Sequence, residues 1–268
     1  MDRKKILQQI ANTLHINVQQ VKQDGLLQGK FGIAIFFYHY ARYTGDESYN
    51  DFPNEYIDYI SNKTGKDKAE NFAEGLSGIG WGIDYLIKNR FIDVADDNIF
   101  EEVDNAILQF NLSDFEKEIE LPIPLFSKGL YFLQRKNDDT LKTTIPQIER
   151  FLQKNNPLQL PVVYIYSIMY VLSECIKMNI EPDLGNNLFE KLQSVFAYKN
   201  GTEIMNKEEA LGNFWFNFIF PNRMQPLSQK TSFFNKSSDH LLKTGTISYD
   251  HLSIYNGLAG IGLSLMSK

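Results

Sequence analysis

The stretch GLSGIGWGIDYL, residues 75–86, places four glycines within eight positions at the start of an apolar run. Glycine inside a helix costs about 1 kcal/mol relative to alanine. A helix that begins this way must gain something from the missing side chains, such as close approach of two backbones or a turn with positive φ. We therefore interpret this stretch as the start of a buried helix.

Similar stretches recur along the chain. GLLQGKFGIA occupies residues 25–34, GLAGIGLSL occupies residues 257–265, and SKGLYFL at 127–133 is a weaker copy. Lined up on the first glycine, the full copies read GL-x-x-G or GL-x-G followed by an apolar helix. The first three starts lie about 50 residues apart, and the interval before the last leaves room for two more, with candidates at 160–178 and 210–216. A period of about 40 to 55 residues is typical of a repeated supersecondary unit.

Amphipathic helices are predicted between the glycine-rich starts, at 47–63, 141–155 and 185–199, because their apolar residues recur with a spacing near 3.6. The glycine-headed helices are apolar nearly all round and should be buried. We find no convincing strand pattern. This alternation predicts an all-α protein, an α/α toroid of about six helix pairs, formed as one domain over residues 1–268. The glycines would let the inner helix starts crowd together and adopt positive φ.

Composition excludes several classes of function. The net charge of −6 argues against nucleic-acid binding, and no apolar stretch is long enough to span a membrane. A single cysteine rules out an internal disulfide, and the N-terminus lacks the pattern of a secretory signal. These features predict a cytoplasmic location.

Gly29 and Lys30 lack the spacing and the hydroxyl residue of a phosphate-binding P-loop.

Residues 25–49, 72–93 and 252–265, about 60 of the 268, resemble the repeat motifs of lanthionine synthetase C-like (LanC-like) proteins. The resemblance implies an α/α toroid with glycine-rich inner-helix starts, in agreement with the repeat pattern. The full-length cyclases of this family build seven helix pairs, so a chain with six has one lost or compressed. The resemblance also implies peptide modification, with a peptide substrate or a peptide-modifying enzyme as partner.

In the family's cyclases, two cysteines and a histidine hold a zinc ion, which activates a substrate thiol for addition to a dehydrated serine or threonine. This sequence has no Cys-His-Gly triplet and no Trp-Cys-Tyr-Gly. Its Cys175 lies in an apolar segment, and Gln28 stands where family members often carry the histidine of a Gly-Leu-x-His-Gly motif. His15, His39 and His240 do not restore a ligand set. We therefore expect no metal or other cofactor and no zinc-dependent cyclase activity.

The polar residues at the helix starts are the remaining candidates for a site. If these starts open on one face, their N–H groups would favour a carboxylate, a phosphate or a polar peptide. Weak catalytic candidates are Asp24, Glu74, Asp250 and His251; binding candidates are Gln28, Lys30, Trp81, Lys128, Tyr255 and Asn256. The carboxylates could also simply complement helix dipoles.

Three interpretations of function remain open. The first is a catalytically degenerate LanC-like protein, a pseudoenzyme that binds peptides or assists a modifying enzyme. The second is a carbohydrate-active enzyme on a six-hairpin toroid, which needs two carboxylates about 5 to 10 Å apart. Two of Asp24, Glu74 and Asp250 could supply them. The third is a structural scaffold with no small-molecule site.

Overall fold

The computed structural model describes residues 2–63, 69–93, 100–110, 112, 121, 123–202, 214–221, 249–255 and 257–267. Within these segments the regular structure is helical, with no strand. The helices are α1 (Arg3–Asn17), α2 (Lys30–Thr44), α3 (Asp51–Lys63), α4 (Leu76–Lys88), α5 (Glu101–Gln109), α6 (Ser127–Arg135), α7 (Asp138–Lys154), α8 (Val162–Lys177), α9 (Pro182–Thr202), α10 (Phe214–Ile219) and α11 (Leu258–Met266). The all-α prediction is confirmed.

The chain divides into two compact units. The first comprises Met1–Gly65, Leu86–Asp93 and Asn206–Lys268, and the second comprises Lys66–Tyr85 and Val94–Met205. The assignment of one domain to residues 1–268 stays a prediction. No helix in the described part of the chain is long and apolar enough to cross a membrane.

The first unit is built around α2 and α11. Helix α2 packs against α1, α3 and α11, and α11 also contacts α1 and α10. Every residue of α2 from Phe31 to Tyr38 is buried, as is every residue of α11 from Leu258 to Ser264. Helix α3 buries one face, with Tyr56, Ile57 and Ile60. The predicted contrast between apolar and amphipathic helices is therefore present in this unit.

The second unit is built around α8, which packs against α6 and α9 and is buried from Tyr164 through Leu172. Helix α7 contacts α6 and α9. Two buried hydroxyls join the loops to these helices, because Oγ of Ser127 accepts from the Phe72 N–H (3.0 Å) and Oγ of Ser167 accepts from the Phe126 N–H (2.8 Å). These bonds satisfy backbone donors that would otherwise be costly to bury.

The helix-start glycines do not have positive φ, contrary to the prediction. Gly29 and Gly257 are extended (φ −122° and −119°), and Gly45, after α2, is the described glycine with positive φ. A Cβ on Gly29 would lie 2.6 Å from the Asp24 carbonyl carbon, and one on Gly75 would lie 2.7 Å from the Asn71 carbonyl oxygen. Close approach of the preceding loop is therefore the reason for glycine here.

The repeat register also differs from the alignment on the first glycine. The Lys30 N–H donates to the Gln23 carbonyl (2.9 Å), and the Leu76 N–H donates to the Ala69 carbonyl (2.8 Å), in both cases seven residues back. Gly29, not Gly25, is thus equivalent to Gly75. The shared pattern is Gly-x-x-Gly-Ile followed by Gly or Ala, which appears as GKFGIA at 29–34, GLSGIG at 75–80 and GLAGIG at 257–262.

The weaker copies keep less of this pattern. Gly129 is the third residue of α6, as Gly32 is of α2, but the residue before α6 is Phe126. The Phe126 ring occupies the space that a Cβ on Gly129 would need. The candidate at 160–178 is helix α8. Residues 210–213 of the other candidate lie outside the described residues, and α10 begins at Phe214.

Candidate functional site

Asp24 lies in the loop that precedes α2, and its side chain is bound to α3. The Tyr56 hydroxyl donates to Oδ1 of Asp24 (2.9 Å) and approaches the Asp24 carbonyl oxygen at 3.2 Å. Burial, with a contribution from Asp24, raises the pKa of Tyr56 well above its usual range. Asp24 therefore has a structural role in fixing the loop. The pairing of Asp24, Glu74 and Asp250 that a glycosidase would use stays a prediction.

Gln28 and Lys30 flank Gly29 at the start of α2, and both are half-buried. The Tyr255 N–H donates to the Leu27 carbonyl (2.9 Å), which joins this loop to the segment before α11. The Tyr255 ring lies 5.3 Å from that of Trp215. Gln28 and Tyr255, two of the binding candidates, thus belong to two loops that are in direct backbone contact.

The remaining candidates near α11 are less completely described. His251 is half-buried in the short 3-10 turn Tyr249–Leu252. Asn256 and the side chain of Asp250 lie outside the described residues. Asp250 and His251 therefore stay predicted catalytic candidates.

Glu74 and Trp81 belong to the second unit. The Glu74 N–H donates to Oδ1 of Asn71 (2.8 Å) within the turn before α4, and the Glu74 side chain is half-buried. Trp81 is only 5% exposed; its ring stacks on Tyr85 at 5.7 Å and meets Phe72 edge-on at 5.8 Å. These contacts give Trp81 a packing role in the core of the second unit.

Cys175 and His39 are both in environments that disfavour their charged forms. Burial, assisted by the Asp138 and Glu174 carboxylates, raises the pKa of the Cys175 thiol to about 12. Burial and the nearby Arg42 guanidinium lower the pKa of His39 to about 4. His15 is exposed on α1, and His240 lies outside the described residues. In the described segments, no three His, Cys, Asp or Glu side chains are grouped so that they could hold a metal.

Lys128 lines a cleft of about 380 Å³ in the second unit. Its Nζ donates to the Leu108 carbonyl at 3.3 Å and lies 3.5 Å from Oε1 of Gln147. Burial lowers the pKa of this lysine, while the charge of Glu70 acts in the opposite direction. The other described lining residues come from α5, α7 and the residues that follow each of them: Leu108, Gln109, Phe110, Leu112, Gln147, Arg150, Phe151, Lys154 and Asn155.

The sequence pattern predicted Lys128 as a binding residue at a helix start but did not predict Arg150 and Lys154, the other two cations of this cleft. Gln147, Arg150 and Lys154 have the i, i+3, i+7 spacing of one face of a helix, which was readable from the sequence. Their proximity to Lys128 depends on how α7 packs against α6, and no local pattern carries that information. The described cleft combines three cations, three side-chain amides and two aromatic rings.

A family model described as lanthionine synthetase C-like protein matches residues 20–156. No curated protein and no solved structure matches the chain. The matched region runs from the loop before α2 to the end of α7 and includes two of the three glycine-rich starts. The helical content is consistent with the α/α toroid of that family. The match covers more than half of the sequence, and the chain therefore belongs to the lanthionine synthetase C-like family.

Proposed function

We propose that this LanC-like chain binds peptides during lanthipeptide-type modification, as a partner of a modifying enzyme, without performing zinc-dependent cyclisation. Membership of the family supports a role with peptides. The observation that carries the proposal is the burial of Cys175, the one cysteine of the sequence, which supports the absence of zinc-dependent cyclisation.

The residues of this chain do not fit the zinc ion of the family's cyclases. That site uses two cysteines and one histidine at helix starts, and the sequence contains one cysteine. Cys175 is fully buried and lies in the last turn of α8, not at a helix start. Zinc binding requires a thiolate, whereas burial keeps this thiol protonated at neutral pH. The Gln28 amide cannot replace a thiolate or an imidazole as a zinc ligand.

The features that remain suit binding. The loops before α2 and α11 are held together through the Tyr255 N–H and the Leu27 carbonyl, which gives a fixed backbone surface next to Gln28. In the second unit, the cleft at Lys128 offers cations beside apolar side chains. A peptide has carbonyl, carboxylate and apolar groups that such surfaces recognise.

The test uses the full chain, a fluorescein-labelled peptide that contains cysteine and dehydrated serine, and added zinc. We expect fluorescence anisotropy to report binding of the peptide. We also expect its free thiol, counted by alkylation and mass spectrometry, to disappear no faster than in buffer with zinc. Cys175→Ala should behave like the natural chain in both measurements. Protein-dependent loss of the peptide thiol would overturn the proposal, as would the absence of peptide binding.

A further inference from the structure

The cleft at Lys128 concentrates positive charge in an acidic protein. The chain has a net charge of −6, yet Lys128, Arg150 and Lys154 all line this one cleft. No carboxylate occurs among its described lining residues. Surfaces recognise partners of complementary charge, so this cleft favours an anionic ligand.

Lys128 is the buried member of this group. Lys128 is only 3% exposed, and the two acceptors near its Nζ, at 3.3 and 3.5 Å, are both neutral oxygens. The Glu70 carboxylate acts on this lysine through its charge. A buried ammonium is costly unless it is paired, and hydrogen bonds between charged partners are stronger than those to neutral acceptors. A carboxylate in the cleft would supply a charged acceptor at this position.

The apolar part of the cleft indicates that the ligand is more than a small inorganic ion. Phe110, Phe151 and Leu108 line it, and Leu108 is 42% exposed although it is a large apolar side chain. Gln109, Gln147 and Asn155 provide amide groups that pair with the carbonyls and N–H groups of a peptide backbone. The volume of about 380 Å³ is within the usual range for ligand pockets.

We propose that this cleft binds a peptide segment in which a carboxylate side chain adjoins an apolar side chain. The carboxylate meets Lys128, with Arg150 and Lys154 at the exposed rim, and the apolar side chain contacts Leu108 and the two phenylalanine rings. The inference rests on the proposed function and adds to it the place and the chemistry of recognition.

The experiment measures binding of labelled acetyl-Gly-Phe-Glu-Leu-Gly to the full chain at low salt by fluorescence anisotropy, with the Gln version of the peptide for comparison. We expect Arg150→Gln and Lys154→Gln each to weaken binding about two- to fivefold, as for exposed ion pairs. Lys128→Met, which keeps the apolar stem, should weaken it about tenfold or more, since its charge is buried. Circular dichroism verifies that each variant is folded.

Lys142→Gln is the matched control, because Lys142 is exposed on α7 and pairs with Asp139. It removes the same charge from the same helix without altering the cleft, and binding should change less than twofold. Equal binding of the Glu and Gln peptides would overturn the inference, as would equal losses in Lys142→Gln and Lys154→Gln.

Inorganic phosphate serves as a competitor. Displacement of the peptide at phosphate concentrations below the peptide's own dissociation constant would assign the cleft to a phosphate group and overturn the peptide assignment. One outcome is that the cysteine-containing peptide binds while Lys128→Met, Arg150→Gln and Lys154→Gln leave the binding of this peptide and of the Glu peptide unchanged. In that case the cleft inference fails and the proposed function stands. If cation-dependent binding of the Glu peptide is present but the cysteine-containing peptide does not bind, the cleft stands and the proposed function fails.

Discussion

Gly75→Ala should destabilise the protein by about 3 to 5 kcal/mol. The Gly75 N–H donates to the Asn71 carbonyl (2.9 Å) and the Leu76 N–H donates to the Ala69 carbonyl (2.8 Å). A Cβ on residue 75 would lie within 2.7 Å of the carbonyl oxygens of both Ala69 and Asn71, which belong to the backbone and cannot rotate away. Overpacking costs about 1 to 3 kcal/mol, and each weakened hydrogen bond adds about 1 kcal/mol.

The measurement is urea unfolding followed by circular dichroism, with Gly185→Ala as the matched control. Gly185 lies within α9, and a Cβ there would meet only the Ile176 side chain, at 3.1 Å. Since alanine favours a helix by about 1 kcal/mol over glycine, this control should be neutral or slightly stabilising. Most surface substitutions change the free energy of unfolding by less than about 0.5 kcal/mol. A change no larger than this in Gly75→Ala would refute the close-approach explanation.

Two further predictions concern the buried thiol of Cys175 and the half-buried imidazole of His39. Iodoacetamide at pH 8 should label Cys175 at least about a thousandfold more slowly in the folded protein than in urea, because burial raises the pKa of its thiol to about 12. Rapid labelling of the folded chain would contradict this prediction. The pKa of His39 is lowered to about 4 in the folded state, so between pH 6.5 and 4 the unfolded chain binds the extra proton and stability falls as pH falls. From pH 7 to pH 5 the protonation of this histidine should lower the free energy of unfolding by about 2 kcal/mol. Urea unfolding of His39→Gln should lack this part of the pH dependence. An unchanged pH dependence in His39→Gln would contradict the contribution assigned to His39.

The helices and their burial could be predicted from sequence because both depend on local periodicity. The segments predicted at 141–155 and 185–199 correspond to α7 (Asp138–Lys154) and α9 (Pro182–Thr202), with ends that differ by a few residues. Pro146 lies inside α7 without ending it. The burial of the apolar face around it, with Leu141, Ile145 and Ile148, outweighs the lost hydrogen bond.

The register of the repeat could not be found from the glycines alone. Gly25 and Gly29 both precede α2, and the residues around either one can be aligned with Gly75. The decision rests on the hydrogen bonds from Lys30 and Leu76 to carbonyls seven residues back. Those bonds depend on the shape of a loop, which composition does not determine. The proximity of Lys128 to Arg150 and Lys154 depends instead on how α7 packs against α6, which no local sequence pattern determines.

The packing of the helix start at Gly29 does not depend on the side chain at position 28. The constraint on Gly29 comes from the backbone atoms of Gln23, Asp24 and Gly25. Gln28, where the family often carries histidine, is half-buried, and its own N–H and carbonyl are unaffected by the identity of its side chain. Substitution at this position therefore leaves the close approach at Gly29 intact. The glycine pattern and the helix-start geometry are therefore compatible with the absence of zinc ligands that we propose for this chain.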